Sequence, residues 1–326
     1  MGDGASSTPL RLVGDIGGTN ARFALAEPAN GRPRLSSFRS LLCQDYPSLQ
    51  EAIAAYFASH PSEPRPTSAV IAVAGPVVDG ALNFTNLGWR VSEAELARAF
   101  DFQSATLIND YAALAFAAPA LNDEDVHHIG PRVVGRAVST IAMIGAGTGF
   151  GASALVRDGH AEAVLTTEGG HIGYAPTDAL EAEIWRLLAL KFGRVSVERV
   201  LSGPGLVNLY NAMLELEGCK ADCESPDSIS RLADEGESLA VRTVQLFCDI
   251  MGSVAGDFAL AYGAQGGVCI AGGVAPRLLA YLEKSDFRRR FEAKGRFEGY
   301  LRSIPTMVVT QPYAALLGAG RAPVAA

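Results

Sequence analysis

The chain has 326 residues, enough for two hydrophobic cores. It is 48% hydrophobic and 19% charged, with 35 glycines, the balance of a globular, glycine-rich protein. The net charge of −8 excludes a general nucleic-acid binder, which needs a basic surface to neutralise phosphates, but is compatible with a small anionic ligand held by backbone N–H groups.

Residues 1–9 read as a polar tail without the apolar run of a secretory leader. Gly2 and Ser6 match a loose myristoylation pattern, but no polybasic stretch or nearby cysteine supplies a second anchor, so the match is read as chance. "LVGDIGGTNARFALAE" (12–27) predicts two strands around a glycine turn. Leu49, Ile53, Tyr56 and Phe57 recur at helical spacing between Tyr46 and His60, before a linker with Pro61, Pro64 and Pro66. "SAVIAVAGPV" is a strand ending at Gly75-Pro76. "SEAELARAF" predicts a helix capped by Ser92 with Glu95 at the capping-box position. "ATLIND" is a strand ending on a carboxylate, and "YAALAFAAP" a helix closed by Pro119.

Residues 122–136 read as irregular, with His127-His128 in a surface loop. The uncharged run 137–156 carries alternating glycines and hydroxyl residues, so it predicts a strand hairpin and not a membrane span. "LEAEIWRLLALKFG" predicts an amphipathic helix ending at Gly193, and helices follow around 196–216 and 237–264. "GGVCIAGGVAPRLL" reads as strand, glycine turn and helix, and "YAALLGAGRA" as a final helix. Strands interleaved with helices make the fold class α/β. "GDIGGTNARFALAE" and "GAGTGFGASALVRD" share one layout and suggest two related halves.

The five cysteines, Cys43, Cys219, Cys223, Cys248 and Cys269, are scattered and odd in number, which fits a reducing compartment. Cys219 and Cys223 form a lone C-x-x-x-C, too little for zinc.

Two adjacent glycines let backbone N–H groups approach a ligand closely, and several such groups in one concavity favour phosphate. Gly17, Gly18, Thr19 and Asn20 have that character. Asp15 beside them would repel a phosphate unless a cation stood between, which points to Mg²⁺ held through water. The plainer reading is a hairpin turn with a capping aspartate. Gly147 and Thr148 resemble a second phosphate clamp, whereas the strand following them argues against a dinucleotide fold. Asp110, at the end of a strand, could take the proton of a hydroxyl attacking phosphorus, or could cap the helix from Tyr111. Glu168 and His171 around Gly169-Gly170 suit a polyhydroxylated ligand such as a sugar. Glu198 reads equally as a surface residue or as an acceptor of sugar hydroxyls.

Taken in order, "LVGDIGGTNARFALAE", "LINDYAALAFA", "GAGTGFG", "EGGHIGYAP", "VSVERVLSGPGLVNLY" and "GGVCIAGGVAPR" resemble the bacterial glucokinases that lack the cysteine-rich zinc motif. The resemblance runs from about Leu12 to Gly320. It implies a two-domain α/β, actin-like and hexokinase-like ATPase fold with an inter-domain cleft. The domains would be 1–120 plus 311–326, small, and 121–310, large. It implies phosphorylation of glucose at the 6-hydroxyl by ATP with Mg²⁺, in the cytoplasm, by a homodimer with no nucleic-acid or membrane partner. On this reading Asp15 holds Mg²⁺ through water. Gly14, Ile16, Gly17, Gly18, Thr19 and Asn20 surround the phosphates with Asp15, Gly147 and Thr148 clamp them, and Gly272 and Gly273 lie against the adenosine. Asn109, Asp110, Glu168, His171 and Glu198 bind glucose, with Asp110 the general base. Tyr111 and Phe150 depart from the residues usual in that family, as does the N-terminal tail. A kinase for another sugar, a sugar-sensing regulator and an ATP-driven chaperone or filament protein are the rival readings; the small number of residues before the first strand argues against a regulator's helix-turn-helix, and the sugar-type side chains argue against a chaperone.

Overall fold

The computed structural model describes residues 9–324 apart from 30, 85, 86, 160, 221, 222 and 224; Gly2 and Ser6 lie outside the described residues. The chain divides into two units, one formed by residues up to 122 together with those from 311, the other by 123–310.

The first unit begins with the hairpin β1 (Arg11–Ile16) and β2 (Asn20–Glu27), closed by Gly17 N–H donating to Asn20 O at 2.9 Å. β3 (Arg34–Leu42), α1 (Leu49–Ala58), β4 (Ser68–Val73), the small pair β5 (Ala81–Asn83) and β6 (Arg90–Ser92), α2 (Glu93–Phe100), β7 (Ser104–Asn109) and α3 (Asp110–Ala117) follow. The main sheet runs β3-β2-β1-β4-β7, antiparallel from β3 to β1 and parallel from β1 through β4 to β7. Successive side chains of β1 serve opposite faces. Leu12 and Ile16 join a core with Phe23, Ile53, Tyr56 and Ile71, while Val13 joins Ala24, Val70, Leu316 and Ala319 on the other face.

In the second unit come β8 (Val126–His128), β9 (Ile141–Ala146), β10 (Phe150–Arg157), β11 (Glu162–Thr167), α4 (Ala179–Phe192), α5 (Gly203–Leu216), α6 (Pro226–Asp234) and α7 (Ser238–Tyr262). β12 (Gly267–Ala271), α8 (Leu279–Leu282), α9 (Phe287–Glu292), α10 (Glu298–Arg302) and β13 (Thr306–Val309) complete it, and α11 (Ala314–Arg321) returns to the first unit. The sheet order is β11-β10-β9-β12-β13-β8. Three antiparallel strands again lead, by β9, into the parallel strands β12 and β13, so the sequence echo between the glycine hairpins is an echo of topology. α7 is the one helix among the described residues long and apolar enough to cross a membrane, and most of it is buried in the core of this unit.

Four expectations need correction. His127 and His128 lie on β8, which pairs with β13, and not in a loop; their rings stand 2.7 Å from Glu283 and 3.8 Å from Asp123. Ser92 precedes α2 without a side-chain capping bond, because it is still paired in β6 with Ala81. The helix expected directly after the second glycine turn starts only at Leu279. α4 is less one-sided than its spacing implies, since Leu180, Trp185 and Leu190 are exposed.

Candidate active site

In the first unit the turn after β1 presents its backbone outward. A Cβ on Gly18 would meet nothing, and one on Gly17 only Asn20 O at 3.8 Å, and neither has the positive φ that would demand glycine. The turn is braced from behind by Cys43, whose N–H donates to Thr19 O at 2.8 Å and whose Sγ donates to Gly17 O at 3.5 Å. Gly14 and Ile16 stand differently: a Cβ on Gly14 would lie 2.8 Å from Ile71 Cδ1, and the Ile16 side chain is fully buried. Gly14 is therefore glycine for packing inside β1.

Asp15 lies directly opposite Arg22 in the hairpin register, and Arg22 Nη1 donates to Asp15 Oδ2 at 3.0 Å. Burial pushes the Asp15 carboxyl above the usual carboxylate range, and the guanidinium opposes that only in part. A partly buried carboxylate with one cationic partner is suited to a second cation. One carboxylate fits Mg²⁺, which keeps most of its water and takes its remaining ligands from phosphate oxygens. The described residues contain no cluster of three metal-ligating side chains.

Two strands along the same carboxyl edge of this sheet, the parallel strand β7 ends with Asn109 level with Val73 of β4 and Ile16 of β1, and runs straight into α3. Asn109 caps that helix, its Oδ1 accepting from Tyr111 N–H at 2.9 Å and Ala112 N–H at 3.2 Å. The cap is thus Asn109, and Asp110 is the first residue of the helix, its Oδ1 also 2.9 Å from Tyr111 N. Asn109 Nδ2 reaches back to Gly75 O at 3.4 Å. Asp110 is held at the carboxyl end of β7, where open α/β sheets place reacting groups, with the helix dipole behind it.

The second unit repeats the device. Gly147 N–H donates to Gly149 O at 2.8 Å, and a Cβ on Gly147 would meet nothing. Gly272 has φ +84°, Gly273 is open, and Val274 N–H donates to Ala146 O at 3.2 Å, which ties the Gly272-Gly273 turn to the end of β9 beside Gly147. Thr148 and Gly273 are exposed on this side. Glu168 leads into the short turn Gly169–His171, closed by His171 N–H on Glu168 O at 3.0 Å, and both side chains are exposed. Arg194 Nη1 donates to His171 O at 2.7 Å. Glu198 is neither a free surface residue nor distant from the glycine loop: its Oε2 accepts the Phe150 N–H at 2.9 Å.

Within each unit the structure therefore brings together residues expected to act together. The first unit carries Asp15 with the Gly17–Asn20 turn, and Asn109 with Asp110. The second carries Gly147, Thr148, Gly272 and Gly273, and the acceptors Glu168, His171 and Glu198. Sequence reasoning passed over Arg22 and Cys43. The first was findable, because a four-residue turn between Ile16 and Ala21 sets residue 15 opposite residue 22; the second follows directly after β3, a neighbour only through sheet pairing.

The sequence profile of the glucokinase family matches residues 12–325. Glucokinase of Caulobacter sp. strain K31 is 49% identical over 316 residues, spanning 97% of this chain and 95% of that protein. The crystal structure of glucokinase from an Antarctic psychrotroph is similar at TM-score 0.88 and 42% identity, over 95% of this chain and 97% of that one. Glucokinase from Balamuthia mandrillaris, solved in complex with glucose, shares the fold at TM-score 0.74 and 21% identity, over 98% and 94% of the two chains.

Proposed function

This chain belongs to the glucokinase family and phosphorylates glucose with ATP, and from that premise we propose which of its residues perform the transfer. Asp110 is the general base. The observation that carries this is its position at the β7–α3 junction, where the neighbouring Asn109 takes over the helix cap. As the 6-hydroxyl of glucose attacks the γ-phosphorus in line, Asp110 accepts its proton, and the product is glucose 6-phosphate with ADP.

Asn109, Glu168, His171 and Glu198 read the other hydroxyls. The Gly17–Asn20 turn, with Gly147 and Thr148 of the second turn, takes the phosphate charge through the backbone N–H groups that the closing bonds Gly17 N–H to Asn20 O and Gly147 N–H to Gly149 O do not use, and the Gly272-Gly273 turn lies against the adenosine. Asp15 would hold Mg²⁺, which would neutralise charge on the phosphates; the support is its partly buried carboxylate at the mouth of the turn, with the single ion-pair partner Arg22. The proposed compartment is the cytoplasm, supported by five free thiols with no disulfide among them. The proposed homodimer rests on family likeness and is tested by sedimentation equilibrium.

The deciding experiment is a phosphoryl-transfer assay with Mg-ATP over a panel of sugars, with Asp110→Ala beside the wild type. Glucose should give the highest kcat/KM. The variant should lose on the order of 10²-fold or more in kcat while still binding glucose in a calorimeter. A variant with near-normal kcat would remove Asp110 from the role, and a better sugar than glucose would reassign the four hydroxyl-reading side chains.

A further inference from the structure

Phe150 stands between the two segments of the second unit that carry the side chains proposed to read the sugar. Its N–H donates to Glu198 Oε2 at 2.9 Å. A Cβ on Gly170 would lie 2.1 Å from the Phe150 carbonyl oxygen, so the Glu168–His171 turn is pressed directly on that peptide. A Cβ on Gly149 would lie 2.5 Å from Glu198 Oε2, so the carboxylate rests flat on the glycine loop. At the loop's other end Gly203 N–H, at the start of α5, donates to Gly147 O at 2.8 Å. Residues 147–150 are thus fastened twice to the segment 198–203, and one fastener is an ionisable side chain already assigned to the sugar.

A carboxylate has room for about four hydrogen bonds, so the Phe150 amide and a sugar hydroxyl can share it. Phe150 is buried, and its N–H would be left without a partner if the carboxylate were removed or swung away, which the loop can relieve only by shifting.

We infer that Glu198 is a positioning residue for the nucleotide-side loop as well as a ligand of the sugar, so that occupancy of the sugar site and the geometry of the Gly147–Gly149 loop are coupled through the Phe150 amide. The inference rests on the assignment of Glu198 to glucose and of Gly147 and Thr148 to the nucleotide. Coupling of this kind is reciprocal: whatever the sugar does for the nucleotide, the nucleotide does for the sugar.

Steady-state kinetics of the full-length protein test it, with a thermal melt of each variant. Glu198→Ala should raise KM for both glucose and ATP, each about tenfold. Glu198→Gln keeps an acceptor oxygen for the Phe150 N–H. It should return KM for ATP to within about threefold of the wild type while KM for glucose stays high. Gly149→Ala puts a methyl group against the carboxylate. It should raise KM for glucose although the residue belongs to the nucleotide-side loop, and should add nothing to that KM in a Glu198→Ala background. If Glu198→Ala raises KM for glucose alone, the coupling is overturned and the sugar assignment stands. If it leaves KM for glucose unchanged, the sugar assignment falls and takes the inference with it. Should Glu198→Ala fail to fold, Gly149→Ala decides, and an unchanged KM for glucose overturns the coupling.

Discussion

Two kinds of glycine stand out among those without a positive φ, distinguished by what a methyl group would meet. A Cβ on Gly145 would sit 1.9 Å from Ala271 O, and one on Gly170 2.1 Å from Phe150 O; backbone approaches them and nothing larger fits. Around Gly18, Gly147 and Gly273 there is open space, and none of the three has a positive φ. Neither packing nor conformation explains why those positions lack a side chain; close approach of a ligand, as proposed for these loops, would. Substitution should separate the two kinds. Gly18→Ala should leave the melting temperature unchanged and raise KM for ATP about tenfold, equivalent to roughly 1.4 kcal/mol of binding. Gly145→Ala should do the reverse, lowering stability by about 1–3 kcal/mol or more through overpacking, read in a urea melt. An unstable Gly18→Ala would mean the turn is glycine for its own sake. The motif "GDIGGTN" invited one reading for all of its glycines; Gly14 belongs with the packing kind, and only the neighbouring strand that supplies Ile71 tells it apart.

At the level of elements, the β7–α3 junction shows how a strand end becomes chemically useful. Asn109 spends its side-chain oxygen on two helix N–H groups, which fixes the first turn of α3 and with it Asp110. Asn109→Ala should cost about 1 kcal/mol as a lost cap and lower kcat as Asp110 loosens. Asn109→Asp keeps an acceptor for the cap but loses the amide donor, so its melting temperature should stay near the wild type while KM for glucose rises. Equal loss of stability in both variants would show that the cap is not what Asn109 does. The hairpins, the helix α4 and the strand β7 were legible because glycine turns, alternation and capping residues sit within a few positions of one another. β8 was not, since three residues with two histidines become a strand only by pairing with β13, about 180 positions later. β3 was missed because most of its residues are exposed, and α9 and α10 because they are too short to show a period. The acids and glycines of the site were visible as residue types. The Phe150–Glu198 contact was not, because 48 positions separate its partners and no local pattern links them.

For the whole molecule, the chain starts and ends in the same unit, and one buried charge makes that closure explicit. Arg11, on β1 and only 6% exposed, donates from Nη1 to Ala319 O, Gly320 O and Ala322 O at the end of α11. These are carbonyls that a helix leaves unpaired, at the end of its dipole that favours a cation. The same helix packs on α3 so closely that a Cβ on Gly318 would lie 1.7 Å from Ala113 O. Residues 123–310 form between these two pieces a unit with its own six-stranded sheet and its own core around α7. The two units should therefore respond differently to cutting. A chain ending at residue 310 leaves the Arg11 guanidinium buried without its three acceptors and strips Leu316 and Ala319 from the face of β1 and β4, a loss that a small sheet does not withstand. Its first unit should lose its cooperative transition. Residues 123–310 alone keep every strand of their sheet and should melt cooperatively, with the amide-exchange protection of α7 and β12 retained. If the isolated 123–310 segment were unfolded while the 1–310 chain kept both transitions, the closure through Arg11 and α11 would not be what holds the first unit together.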